Sequence, residues 1–381
     1  MQRIADQAVR MHDVPGAVAA IAGRDDASVA IAGSRAIDGA PMSRDTVFRI
    51  ASVTKPIVAA AAMALVDRGV LRLDAPVAPW PPELAEPRVL RDPAGALDDT
   101  VPATRPILVE HLLALRGGLG FAQDFSTPLA VALRERLRQG PPDPAGWPAA
   151  DAWLAEAARL PLVHQPGEGW TYNTGLDIAG VLLARAGGGS LGEVLAELLL
   201  EPLGMRQTGF RLRADQIART ATSYRPGAAG LELADPPDGA WAGSIAFESG
   251  AGGLVSTVDD LIAFGRMLCG RGEADGARVL SSRAVARLLA PGAPSDPGDV
   301  FLGGQSWSLG GSVDVVERQP WEVLGRYGWV GGTGTALYVY PRTRRTAVWL
   351  TQRELGAPDD DARIGPLLTL AAQAERRARA S

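Results

Sequence analysis

Ser52 and Lys55 stand three residues apart in ASVTKPI, and Lys55 is the only lysine among 38 lysine and arginine residues. On a helix that spacing puts both side chains on one face, within hydrogen-bond reach. A serine hydroxyl is a weak nucleophile until a neighbour accepts its proton. Guanidinium never releases its proton in a protein, whereas burial lowers an ammonium's pKa until the amine can act as a base. The chain uses arginine for every other basic side chain and keeps lysine where arginine could not act. A helix N-terminus at Ser52 would add partial positive charge for a developing oxyanion.

Two further stretches carry chemistry. Tyr172, one of five tyrosines, lies in PGEGWTYNTGLDIAG (166–180) ahead of an apolar helical pattern. A phenol held against an ammonium can shuttle protons. GRYGWVGGTGTALYVYP (325–341) puts successive glycines on an expected strand, and glycine inside a strand marks close approach by a ligand or another backbone.

The elements around these residues follow from periodicity. GAVAAIAG (16–23) and SVAIAG (28–33) predict two buried strands joined by a polar turn. A short strand, VFRIA, then leads into Ser52. A helix is expected from Val53 to Arg68, with Pro56 in its first turn and Gly69 after its end. Residues 73–107 and 139–150 are proline-rich, and such long irregular stretches usually form functional walls or lids. Helical patterns recur in ILVEHLLALR, DAWLAEAARL, LDIAGVLLARAG and LGEVLAELLLEPLG. The final part of the chain reads as strands in SWSLGGSVDVV, RYGWVGG, GTALYVYP and TAVWLTQ, closed by an amphipathic helix from about residue 361. The expected fold class is α/β: an antiparallel sheet built from N- and C-terminal segments, flanked by helices, with an inserted helical lobe. The sheet region takes residues 1–72 and 205–381 and the lobe 73–204, in one domain whose cleft lies where Ser52 emerges.

Composition narrows the function. The 381 residues are 46% hydrophobic, enough for a large core, and carry a net charge of −5 with no basic block, so no nucleic-acid partner is expected. A single cysteine, Cys269, excludes an internal disulfide framework and disfavours a thiolate metal site. His12, His111 and His164 lack ligand spacing and read as loop or helix-surface residues. Neither a metal nor a cofactor is expected. The N-terminus lacks the basic and apolar pattern of a secretory signal, and the alanine-rich run Ile57 to Val66 is too short to span a bilayer. A cytoplasmic protein with no membrane partner is the expectation, its oligomeric state open.

Several patterns are read as structural. GGSLG (188–192) has the form of a nucleophile elbow, but Ser190 follows a helical pattern where an elbow needs a strand, and Ser190 with Glu193 fits a helix capping box. GAGGLV (250–255) reads as a tight turn, Asp259 and Asp260 as charges at a helix start, and Glu168 as a solvated loop charge. Trp80 and Trp147 lie in the proline-rich loops, where lining an acyl pocket and simple packing both remain open.

Five motifs in order carry a resemblance: SxxK at 52–55, LLALRGGLG at 112–120, the Tyr172 motif, GAGGLVSTVDDLIAFG at 250–265 and WVGGTG at 329–334. Together, over about residues 5–375, the chain resembles the serine β-lactamase and penicillin-recognising superfamily, and within it the class C type β-lactamase-related esterases. The resemblance implies a β-lactamase/transpeptidase-like fold, acylation of Ser52, and proton movement by Lys55 and Tyr172. It also implies an oxyanion hole from the backbone amides of Ser52 and Gly332. Trp329, Val330, Gly331, Asn173 and Thr174 would lie against the substrate. Two departures bear on substrate. In Tyr172-Asn173-Thr174, threonine replaces the asparagine usually found two residues after the tyrosine, and the spacing argues against Asn173 standing in for it. Trp329 occupies a place where lysine or histidine often pairs a substrate carboxylate. The implied function is a serine hydrolase working through an acyl-enzyme, a carboxylesterase or transesterase on small uncharged esters. The alternatives are a β-lactamase or D-amino-acid peptidase, and a non-catalytic binding protein of the same fold.

Overall fold

The computed structural model describes residues 1–11, 14–274, 276–292, 295–357, 360 and 363–380. His12 lies outside them. The sheet has seven strands: β1 (Gly16–Ala22), β2 (Ala27–Gly33), β3 (Ser306–Trp307), β4 (Ser312–Val313), β5 (Tyr327–Gly331), β6 (Thr335–Tyr340) and β7 (Arg345–Thr351). Their spatial order is β3-β4-β5-β6-β7-β1-β2, every neighbouring pair antiparallel. The two ends of the chain therefore meet at β1 and β7, with Val18 opposite Leu350 and Ala20 opposite Val348. The expected antiparallel sheet from N- and C-terminal segments, flanked by helices, is the fold observed.

Strand alternation assigns the two faces. Val18, Ala20, Leu337, Val339, Val348 and Leu350 point into the larger core, which includes helices α2 (Thr54–Asp67), α3 (Thr174–Gly187) and α4 (Val258–Cys269). Ala17, Ala19, Ile21, Tyr338, Tyr340 and Trp349 point into a second core closed by α1 (Gln2–Met11) and α5 (Gly365–Ala380). Both faces of β1 are covered, which is why its sequence is an unbroken apolar run rather than an alternating one. β2 departs from the expectation of a buried strand. It is the sheet edge, with Ala27 and Ser28 exposed and only Ala30 and Ala32 buried. The Gln2 side chain blunts that edge by donating to the Ile31 carbonyl at 2.8 Å.

Helix α2 is buried from Thr54 to Leu65 on all sides, as an alanine-rich helix without an amphipathic stripe must be. It packs against β5, α3 and the helix Ser282–Leu289. The proline-rich segments divide in role. Residues 139–150 line the cavity beside Ser52 through Gly140, Pro141, Pro142 and Trp147. Residues 73–107 do not line it; they contain a small hairpin, Arg88–Leu90 with Thr100–Pro102, and Trp80 packs partly buried against the core.

The patterns read as structural behave so. Ser190 Oγ accepts the Glu193 N–H at 3.2 Å and the Glu193 carboxylate accepts the Ser190 N–H at 2.8 Å, a capping box. Thr257, rather than either aspartate, caps α4. Asp259 pairs with Arg44 at the surface, while buried Asp260 accepts from Gln207 N–H and the Thr208 hydroxyl. Glu168 forms a half-exposed ion pair with Arg105. Among the described residues no single helix is long and apolar enough to cross a membrane.

Candidate active site

The turn that carries Ser52 is built by clamping. Phe48–Arg49 pairs with Val255–Ser256, and the buried Arg49 guanidinium donates to Asp235, with Nε at 2.8 Å. The chain then passes through Ala51 at φ 42°, the left-handed region that costs a non-glycine residue of order 1–3 kcal/mol. Two hydroxyls from the β5–β6 hairpin hold this turn: Thr333 donates to the Arg49 carbonyl at 2.6 Å and Thr335 to the Ile50 carbonyl at 3.0 Å. Ser52 sits in a single 3-10 turn, Ala51–Val53, which opens directly into α2. Lys55 falls in the first turn of α2, its Nζ 2.7 Å from Ser52 Oγ.

Lys55 is fully buried. Its Nζ also lies 2.7 Å from Asn173 Oδ1 and 2.7 Å from the Ala251 carbonyl oxygen, and 4.6 Å from the centre of the Tyr172 ring. Loss of solvent lowers its pKa to about 7, with the charge of Asp177 acting in the opposite direction. A neutral amine has two N–H bonds and one lone pair. Two carbonyl oxygens can only accept, so they take the N–H bonds and leave the lone pair to the Ser52 hydroxyl. Tyr172 donates its hydroxyl to Ser52 Oγ at 2.9 Å and accepts from Trp329 Nε1 at 2.7 Å. Burial pushes the phenol up to about 12, while the hydrogen bonds with Ser52 and Trp329 pull the other way. The phenol therefore keeps its proton, and the amine is the group able to take one.

Asn173 corrects the expectation drawn from spacing. Its backbone, at φ 81° and ψ −71°, forms a three-residue γ-turn in which Thr174 N–H donates to the Tyr172 carbonyl at 3.2 Å. From that strained turn the Asn173 carboxamide reaches Lys55. Thr174 does not face the substrate side. It is buried, lies outside the cavity lining, and its hydroxyl donates to Gln139 Oε1 at 3.0 Å. Gly331 is likewise absent from the cavity. A methyl group there would collide with the Ile50 carbonyl oxygen and the Thr335 hydroxyl, so its glycine serves the approach of β5 to the Ser52 turn. Trp329, Val330 and Gly332 do line the cavity, although the Trp329 N–H is spent on Tyr172. Ser52 and Gly332 both border it, and neither amide N–H has a protein partner among the described residues, which leaves two donors for an oxyanion.

The cavity above Ser52 measures about 380 Å³. Phe121, Phe125, Phe301, Trp147 and Trp329 form its apolar walls, and among the described residues Glu354 is the only acidic or basic one lining it.

The family model described as Beta-lactamase matches residues 1–371. The chain belongs to the Beta-lactamase family. It is a serine hydrolase by that membership. It is 40% identical over 334 residues to Protein Rv1367c of Mycobacterium tuberculosis, covering 84% of this chain and 81% of that one. It is 34% identical over 287 residues to Esterase EstB of Burkholderia gladioli, covering 69% of this chain and 67% of that one. Among solved structures it superimposes on EstCE1, a hydrolase with promiscuous acyltransferase activity, with a TM-score of 0.79 and 24% identity over 97% of both chains, a likeness of fold.

Two polar residues of this Beta-lactamase family member escape a sequence reading. Gln139 and Asp177 are buried beside the site, Gln139 Nε2 donating to Asp177 Oδ2 at 2.8 Å. Asp177 carries a signal, being a lone carboxylate in the apolar helix TGLDIAGVLLARAG. Gln139 carries none, because only the path of its loop brings it here. The clamp predicts the effect of Gly331→Ala: displacing β5 from the Ile50 turn should cost about 1–3 kcal/mol in urea unfolding and lower the rate of labelling at Ser52 by a fluorophosphonate. Unchanged stability with unchanged labelling would show that the hairpin does not hold the turn.

Proposed function

We propose that the protein is a carboxylesterase or transesterase that acts on small uncharged esters through an acyl-enzyme on Ser52. The observation that carries this reading is a dry amine, a protonated phenol and a serine hydroxyl within hydrogen-bond reach at the base of an apolar cavity whose only acidic or basic lining residue, among the described residues, is Glu354.

In this mechanism Ser52 Oγ attacks the ester carbonyl as its proton passes to the Lys55 lone pair. Charge developing on the carbonyl oxygen is met by the Ser52 and Gly332 amides and by the start of α2. Collapse breaks the bond to the alcohol, and Tyr172 gives its proton to the departing alkoxide. The ammonium on Lys55 then restores the phenol, so that the net change is one proton lost by Ser52 and one gained by the alcohol. Water or a second alcohol attacks the acyl-enzyme by the reverse sequence, releasing an acid or a new ester and regenerating the Ser52 hydroxyl. EstB is named an esterase, which agrees with this chemistry. A β-lactam or a peptide C-terminus brings a carboxylate, for which Trp329 offers no counter-charge and Glu354 offers repulsion.

Lys55→Arg keeps the positive charge and removes the base, so hydrolysis of p-nitrophenyl butyrate should fall by about a hundredfold or more, the span of a positioned general base. An active Lys55→Arg enzyme would contradict the mechanism. Because the amine is a base only when unprotonated, and burial sets its pKa at about 7, kcat/KM of the wild type should rise with pH through that region and then level. A profile flat across it would assign the base elsewhere. Short-chain esters should be turned over repeatedly, and nitrocefin and a D-alanyl peptide poorly; a single stoichiometric burst with every donor would instead mark a protein that binds and is acylated without turnover.

A further inference from the structure

Asp177 does not line the cavity, and it touches neither Ser52 nor Lys55 by hydrogen bond. It is fully buried in α3 and both carboxylate oxygens are engaged: Oδ2 accepts Gln139 Nε2 at 2.8 Å, and Oδ1 accepts the Ser249 hydroxyl at 2.6 Å and the Ala251 N–H at 3.0 Å. A carboxylate can only accept, so every neighbour must turn a donor toward it and an acceptor away from it.

That requirement propagates in two directions. Gln139 has its NH2 on Asp177, so its oxygen faces outward, where it accepts Asn173 Nδ2 at 2.7 Å and the Thr174 hydroxyl at 3.0 Å. Asn173 has then committed its NH2, and its Oδ1 is the atom left at Lys55 Nζ, 2.7 Å away. On the other side the Ser249 hydroxyl has committed its proton to Asp177, so its oxygen accepts the Gly252 N–H at 3.1 Å. The same peptide's carbonyl, that of Ala251, is the second acceptor at Lys55 Nζ. Two chains leave one carboxylate and end as two carbonyl oxygens on one amine.

We propose that Asp177 is a positioning residue whose acceptor-only carboxylate sets the sense of both hydrogen-bond chains, through Gln139 and Asn173 and through Ser249 and the 251–252 peptide, and thereby aims the Lys55 lone pair at Ser52. The inference rests on the reading of Ser52 as nucleophile and Lys55 as base. It also explains why Asn173 occupies a strained γ-turn: its carboxamide must bridge Gln139 and Lys55. A carboxylate kept for packing alone would place no condition on which way each amide faces.

The test reverses the chain and then restores it. In Asp177→Asn the new carboxamide cannot accept all three donors. Gln139 turns its oxygen to the new NH2, Asn173 turns in response, and an N–H now faces Lys55 and competes with Ser52 for the lone pair. kcat for p-nitrophenyl butyrate should fall about tenfold or more with KM little changed. In the double variant Asp177→Asn with Gln139→Glu, the carboxylate moves one link along the chain, accepts from Asn173 again, and returns its Oδ1 to Lys55. Most of the lost kcat should return. The titratable groups facing Lys55 are Tyr172 and Asp177. Removing the Asp177 charge should shift the rising limb of kcat/KM to lower pH, and the double variant should shift it back upward.

Wild-type kcat in Asp177→Asn, or a folded double variant no faster than the single one, overturns the proposal. If Asp177→Asn does not fold, Gln139→Met breaks the first chain and spares the carboxylate; it should lower kcat at constant KM, and an unchanged kcat there is equally fatal. Ser52→Ala is measured in parallel. Should it retain turnover, the parent reading falls and this one with it, whereas an inactive Ser52→Ala beside a fully active Asp177→Asn removes only the positioning role.

Discussion

A primary amine sealed from water is the constraint on which the site depends. Carrying an unpaired ammonium into a dry interior costs several kcal/mol, and the group responds by giving up its proton. That outcome holds only if no anion touches it. Lys55 meets two carbonyl oxygens, a hydroxyl and the face of a phenol ring, and no carboxylate among the described residues within bonding distance. Asp177 is near enough for its charge to be felt and is held off by Gln139 and Asn173. The all-round apolar character of α2 follows from the same need, since a solvated flank on that helix would let water reach the amine.

The seven-stranded sheet contributes rigidity where the backbone is strained. The two residues with uncommon backbone geometry at the site, Ala51 and Asn173, each adjoin a chemical residue, Ser52 and Tyr172. Each costs free energy that the surroundings must offset. At Ala51 the offset comes from the Thr333 and Thr335 hydroxyls and from the missing side chain at Gly331. At Asn173 it comes from the paired backbone bonds between Phe121 and Tyr172, at 2.7 and 2.9 Å, and from the carboxamide's own bonds to Gln139 and Lys55. Sheet topology reaches the chemistry through this route: β5 and β6 carry the clamp, and the N- and C-terminal segments complete the sheet around it.

What was legible in the sequence was local. The odd lysine after Ser52, the tyrosine ahead of an apolar helix and the period-two stretches near both ends are each written in a few adjacent residues. What was hidden depends on partners distant in the chain. SVAIAG reads as a buried strand because its composition matches β1, yet only the order of strands decides that β2 is the edge. Asn173 is misjudged by spacing because spacing presumes a helical or extended backbone, and a γ-turn reverses the direction of one side chain. Thr174 and Gly331 flank cavity residues in sequence and point away from the cavity in space, toward Gln139 and the Ile50 turn. Asp177 stands out as a charge among apolar neighbours, but its meaning appears only when Gln139, 38 positions earlier, is placed beside it.

Trp329 shows how one substitution of chemical type can alter a whole site. A cation at that strand position would put positive charge beside the phenol and offer an anchor to a carboxylate. The indole instead donates its single N–H to Tyr172, partly offsetting the effect of burial on that hydroxyl, and turns its apolar face to the cavity. It packs edge-on to Trp307 with ring centres 4.9 Å apart, so the wall continues into the aromatic cluster around Tyr172. With the amine dry, the phenol protonated and the indole neutral, the catalytic end of the cavity carries little fixed charge. A neutral ester sheds little hydration on entering such a space, whereas a carboxylate must surrender its water and finds no counter-ion among the described lining residues. The apolar wall and the lowered pKa of Lys55 are thus two expressions of one electrostatic choice, the exclusion of ions and water from the space around Ser52.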